Sequence, residues 1–139
     1  MDQIKFYMNQ TLNAIGGNST ATEAAQTMLD HKIGSLLVED QGTFVGLITE
    51  GDLCRKVIAQ NKKPIETKLG DIMSKPLVTI DSEQLMTTAF LVMQQHHIRH
   101  IVVTEKKVIV GILSIRDFSR YYINKFAKKP APAPKAPDE

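Results

Sequence analysis

Gly46-Leu47-Ile48-Thr49-Glu50-Gly51-Asp52 and, 65 residues further on, Gly111-Ile112-Leu113-Ser114-Ile115-Arg116-Asp117 are the stretches that decide the fold. Each begins with a glycine and two branched apolar residues, as a buried strand does. Each goes on to a hydroxyl residue and, one helical turn later, an aspartate, as the start of a helix does. A strand running straight into a helix, written twice at one spacing, points to a duplicated α/β unit.

Outward from these stretches the offset holds without a gap. Residues 22–60 fall on 87–125 with 11 identities in 39 positions, among them Met28/Met93, His31/His96, Val38/Val103 and Arg55/Arg120. The match reaches upstream to Met8 on Met73 and Ile15 on Ile80. In the first copy Leu12 to Ile15 reads as a short strand. Ala24, Ala25, Met28 and Leu29 keep helical spacing over 22–31, with Ser19, Thr20 or Thr22 as the N-cap. Leu36-Leu37-Val38 and Phe44 to Ile48 read as a hairpin about Asp40-Gln41-Gly42. Leu53, Val57 and Ile58 then share one helical face.

The second copy is led in by a helical turn over Leu69 to Met73, stopped by Pro76. A strand over Leu77 to Ile80 precedes a helix capped by Asp81 or Ser82. Ile101 to Val103 and Val108 to Leu113 repeat the hairpin, and Phe118, Tyr122, Ile123 and Phe126 form the apolar face of the last helix. Each copy's sheet is too small to bury itself. The expected fold is therefore α/β, two helix–strand–strand–helix repeats (each with a short leading strand) packed about a pseudo-twofold axis. The repeats span 7–60 and 69–126, with a polar linker over 61–68 holding Pro64. An extended Pro/Ala/Lys tail covers 127–139.

The totals set bounds on function. In 139 residues, 42% hydrophobic and 23% charged is ordinary globular composition. No apolar run approaches the ~20 residues of a membrane span, and no signal peptide is read at the N-terminus. One cysteine, Cys54, cannot make an internal disulfide, which favours a cytoplasmic setting. A net charge of +2 is too small for a phosphate-tracking surface, which argues against nucleic acid as a partner. His96, His97 and His100 have no Cys or acid at ligand spacing, so no metal site is read. Cys54 lacks a histidine partner and reads as a small packed thiol. No nucleophile–base pair or paired carboxylates can be assembled, so an enzyme is not expected.

Two readings compete for the paired stretches. Thr49-x-x-Asp52 and Ser114-x-x-Asp117 resemble capping boxes with Asp in place of Glu, a purely structural device contributing ~1 kcal/mol. The same atoms suit a ligand: the hydroxyl lies beside unpaired helix N–H groups that attract phosphate, and the aspartate can accept from the paired hydroxyls of a ribose. The glycine opening each strand removes a side chain where a ligand could lie close.

The G-h-h-[ST]-x-x-D endings, the duplication, Lys32-Ile33-Gly34-Ser35-Leu36-Leu37-Val38 and Ile98-Arg99-His100-Ile101-Val102-Val103 together resemble a tandem pair of CBS (cystathionine-β-synthase-type) domains, a Bateman module. Asp71-Ile72-Met73 before Pro76 is similar to the lead-in of a second repeat. The resemblance implies a stand-alone regulatory module that needs no cofactor and binds AMP, ADP or ATP, or else S-adenosylmethionine or NAD, in clefts between the repeats. It would signal energy or metabolite state to a regulated protein and pair as a homodimer. Carried over residue by residue, one cleft would use Thr49 and Asp52 with Thr79, Ile80, Arg99 and His100. The other would use Ser114, Arg116 and Asp117 with Ala14, Ile15 and Ser35. With two cations on its side, the Asp52 cleft is expected to be the tighter. His100 is expected to favour phosphate as it gains charge through pH ~6.5. The alternative function is a protein-interaction scaffold whose clefts are vestigial.

Overall fold

The computed structural model describes residues 2–127. The tail expected over 127–139 lies outside them, save Ala127, which ends the last helix in extended backbone. The chain forms two three-stranded sheets and four helices. In the first unit β1 (Ala14–Gly16) runs parallel to β2 (Ser35–Asp40), which pairs antiparallel with β3 (Thr43–Thr49). α1 (Ala21–His31) connects β1 to β2, and α2 (Glu50–Leu53) follows β3 directly and continues as a π-helical turn, Cys54–Ile58. The second unit repeats this with β4 (Thr79–Asp81), α3 (Met86–His96), β5 (His100–Glu105), β6 (Val108–Ser114) and α4 (Ile115–Phe126). The strand orders are β1-β2-β3 and β4-β5-β6, and even the bulges recur, at Val38/Glu39 and Val103/Thr104.

Apolar periodicity explains the packing. Ala24 and Met28 of α1 meet Leu36, Val38 and Ile48 of the sheet, and Ala89 and Met93 of α3 meet Ile101, Val103 and Leu113. The opposite faces of the two sheets join through Leu37, Leu47 and Val102, flanked by Phe44, Ile109 and Ile112. Neither sheet could bury both faces alone, and this shared layer makes the repeats one body.

The segments ahead of the repeats are exchanged. The short 3₁₀ turn Ile4–Phe6 places Ile4 in the core of the second unit, and the equivalent turn Leu69–Asp71 places Leu69 and Ile72 in the core of the first. Asn9 bridges to Ile112 and Ser74 to Leu47, positions related by the same offset of 65. This reciprocity is the pseudo-twofold relation at residue level.

Four local expectations differ from what is seen. Neither Asp81 nor Ser82 caps α3. Its N-cap is Leu85, and the Met86 amide donates to the Asp2 carbonyl at 2.9 Å, so the exchanged segment supplies the acceptor. α1 begins the same way, with Ala21 N–H on the Thr67 carbonyl, alongside a capping box from Thr20 and Glu23. On α4 the buried aromatic is Tyr121, while Tyr122, Ile123 and Phe126 are exposed. Ile58, expected on a buried face, is exposed because the π turn rotates the chain after Leu53. Cys54 is exposed rather than packed.

Among the described residues no helix is long and apolar enough to cross a membrane.

Candidate functional site

Both strand-to-helix junctions are capping boxes. Thr49 accepts from the Asp52 amide at 3.1 Å and Asp52 accepts from the Thr49 amide at 3.0 Å. Ser114 and Asp117 make the same exchange at 3.1 and 2.9 Å. Beyond that the copies diverge. Asp52 is 2% exposed, and its carboxylate also accepts from Ser74 Oγ at 3.1 Å and pairs with Lys56 Nζ at 3.0 Å. Lys56 goes on to donate to the Ile72 carbonyl at 2.9 Å. This aspartate is fully engaged in holding the exchanged segment onto β3.

Asp117 is not. The residue equivalent to Ser74 is Asn9, whose side-chain oxygen accepts from the Thr11 amide instead. The residue equivalent to Lys56 is Tyr121, which donates to Asp2 at 2.7 Å. Among the described residues, Asp117 receives only the Ser114 amide, and its carboxylate borders a cavity of about 1040 Å³. Both repeats and the N-terminal segment wall this cavity. Met28, Ile33, Leu53 and Ile112 give it an apolar side, and Ser35, His100, Ser114 and Asn13 add polar groups.

The grouping of residues therefore differs from expectation. Arg99 and His100 lie with Ser114, Arg116 and Asp117, not with Thr49 and Asp52. The reason is register: His100 opens β5 opposite Ser114 at the end of β6, and the Ile115 amide donates to the Arg99 carbonyl at 2.9 Å. Ser35 lines the same cavity from the first repeat. Ala14, Ile15, Thr79 and Ile80 do not line it. Ile15 packs against the first core, Ile80 is in the second, and Thr79 pairs with Val102. Asn13 and Glu50 line the cavity and were not singled out; Glu50 follows Thr49 directly, and the clue available was its place at a helix start.

Gly46 and Gly111 do not clear room for a ligand. A Cβ on Gly46 would fall 2.6 Å from Met73 Sδ and 3.0 Å from the Ser74 carbonyl, and one on Gly111 would fall 2.7 Å from Met8 Sδ and 2.9 Å from the Asn9 carbonyl. Both glycines admit the exchanged segments. Gly34 is different: its missing Cβ leaves space taken by the Glu50 carboxylate, with His100 Nε2 close by.

Electrostatics converge on His100. Burial pushes its imidazole below the ordinary value of 6.5, the Glu50 and Asp117 carboxylates pull it up, and the Arg116 and Arg99 guanidiniums push it further down. Around this imidazole two acids thus face two cations. Among the described residues no cluster of three or more His, Cys, Asp or Glu side chains is placed to hold a metal ion.

Comparison with known proteins follows the same lines. The CBS domain family model matches residues 3–59 and 69–124. The chain is 35% identical over 112 residues to the CBS domain-containing protein CBSX3, mitochondrial, of Arabidopsis thaliana; the match covers 77% of this chain but only 54% of that protein. A protein with CBS domains from Burkholderia ambifaria superposes with a TM-score of 0.83 at 26% identity, covering 88% of this chain and 90% of that one. The hexameric CBS-CP12 protein from bloom-forming cyanobacteria gives a TM-score of 0.78 at 28% identity, covering 91% and 72%. With a double family match and a shared architecture of paired three-stranded sheets, the chain belongs to the CBS domain family.

Proposed function

We propose that the chain is a regulatory module that binds one adenosyl ligand in the Asp117 cleft and passes its occupancy to a partner protein. The observation that carries this reading is the contrast between two equivalent aspartates: Asp52 is consumed by Ser74 and Lys56, while Asp117 borders the cavity with acceptor capacity to spare. CBS-domain proteins are generally regulatory and bind adenosyl ligands. In this cleft the apolar wall suits a purine, and Asp117 suits a ribose. Arg99, Arg116 and His100 suit a phosphate through charge-assisted hydrogen bonds. AMP, ADP and ATP fit that set, with NAD as a longer variant. Ser35 and Ser114 add hydroxyls from opposite repeats, so an occupant would tie the repeats together. The tighter site is thus assigned to Asp117 rather than Asp52, with one ligand per chain. We read the assembly as a homodimer joined through exposed helix faces.

The test is a thermal melt with calorimetry. A ligand at a hundred times its dissociation constant adds ~2.7 kcal/mol, raising the melting temperature by several degrees at this size. Asp117→Ala should abolish the shift. Asp52→Ala should leave the site present but cost the fold about 2–3 kcal/mol, the worth of buried charge-assisted bonds. A melt unmoved by millimolar AMP, ADP, ATP, S-adenosylmethionine and NAD would favour the scaffold reading, which rests on the exposed Tyr122, Ile123 and Phe126 of α4.

A further inference from the structure

Four cations line the Asp117 cavity: Lys32 from the end of α1, Arg99 ahead of β5, and Arg116 and Arg120 on α4. All four are exposed, and none takes part in any of the three ion pairs among the described residues. What sets them apart is that all four wall one cavity, whereas Lys56 is held by Asp52 and Lys125 by Asp2. Against these four cations the cavity lining holds two carboxylates, Glu50 and Asp117, which leaves a surplus of two positive charges.

They also fall into two sets. Arg99 and Arg116 act on the His100 imidazole, as do the carboxylates Glu50 and Asp117, so the surroundings of His100 are charge-balanced. Lys32 and Arg120 are left over. They come from different repeats and account for the surplus of two positive charges in the lining. Lys32 is presented by a left-handed C-cap, φ 55°, at the carbonyl end of α1. Arg120 stands one turn beyond Arg116 on α4.

We propose that Lys32 and Arg120 form a polyphosphate subsite, so that the cleft selects adenosine di- and triphosphates over AMP and rejects a sulfonium ligand such as S-adenosylmethionine. This deepens the reading of the Asp117 cleft as an adenosyl site and rests on it. The balanced surroundings of His100 take the nucleoside and first phosphate, and the two surplus cations take the phosphates beyond. Because these two cations belong to opposite repeats, the terminal phosphates would add a second tie to the one any occupant makes through Ser35 and Ser114.

Calorimetry on the full chain in magnesium-free buffer tests this with AMP, ADP, ATP and S-adenosylmethionine. Affinity should rise from AMP to ADP to ATP, at least tenfold from first to last, with S-adenosylmethionine weaker than AMP. In the Lys32→Gln/Arg120→Gln double variant, both substitutions lying on exposed side chains, the ATP-to-AMP affinity ratio should fall to near one. A merely structural effect would weaken both nucleotides and preserve the ratio, which would overturn the assignment. So would ATP binding no more tightly than AMP to the unaltered chain. If AMP binds and ATP gains nothing, the adenosyl reading stands and only the polyphosphate subsite fails. If no nucleotide binds, the adenosyl reading fails and the subsite with it.

Discussion

At the residue scale the cleft depends on His100, whose burial disfavours the imidazolium. Its folded-state pKa lies below 6.5, so just below pH 6.5 the unfolded chain binds more protons than the folded one. Stability then rises with pH through that window and the contribution is fully present above it. The ligand-free protein should lose melting temperature as pH falls from 6.5 towards 5, with a slope from this group of at most about 1.4 kcal/mol per pH unit. His100→Asn should flatten that part of the profile, as a pH series of thermal melts will show; an unchanged slope would mean the imidazole is not held neutral. The same shift moves the gain of charge expected near pH 6.5, and with it any rise in phosphate affinity, to lower pH. Ser114 and Asp117 were legible as a strand-to-helix junction, and Arg99 and His100 entered only through the family resemblance. Their grouping was not legible, since it depends on the His100–Ser114 register and on Ser74 and Lys56, which have no chemical equivalents in the other copy.

At the scale of elements, the exchanged segments matter more than their length suggests. Ile4 belongs to a three-residue turn yet is fully buried among Met86, Ala89, Met93 and Leu113. Asp2 beside it accepts from Tyr121 and pairs with Lys125, fixing the segment to α4. Ile4→Ala should cost 2–5 kcal/mol, the usual range for emptying a closed aliphatic site. Urea melts would show it as a lower midpoint with an unchanged slope. A loss under ~1 kcal/mol would mean the segment is only loosely seated. Strands and helices were readable because each spans enough residues to show a period, and the hairpins even share their turn positions. Gly42 sits at φ 79°, and Lys106 and Lys107 hold φ 50° and 65°. The exchange was invisible because a single 3₁₀ turn has no period. Its one trace in the sequence was Met8 falling on Met73, and those two methionines pack against Gly111 and Gly46. The cap of α3 was missed for a related reason, since its acceptor is the backbone of Asp2, which carries no side-chain signature.

At the scale of the whole molecule, the two sheets use up each other's apolar faces, but the helices do not cover their own. Ile58 and Ile123 occupy equivalent positions in the two repeats and are 62% and 54% exposed. On α4 Tyr122 and Phe126 flank Ile123, their rings 5.2 Å apart, and Leu91 of the neighbouring α3 is also exposed. Apolar residues placed alike on both halves of a pseudo-symmetric body suit a partner that is itself pseudo-symmetric, and a second copy is the simplest one. Scattered single residues would need no such account, whereas a contiguous apolar face on a small protein marks an interaction site. This face also adjoins the cleft through α4, whose first turn carries Arg116 and Asp117 and whose last carries Phe126. Ligand occupancy and assembly would thus bear on one helix. Light scattering at micromolar concentration should give a mass near twice that of one chain. Ile123→Glu with Phe126→Glu should return it to a monomer, because burying two carboxylates in an apolar contact is far costlier than exposing them. Both side chains face solvent within the chain, so the double variant should keep its melting temperature to within the loss of dimer linkage. A dimer that survives both substitutions would place the interface elsewhere. A monomer in the unaltered protein would leave these helix faces to a different protein and favour the scaffold reading.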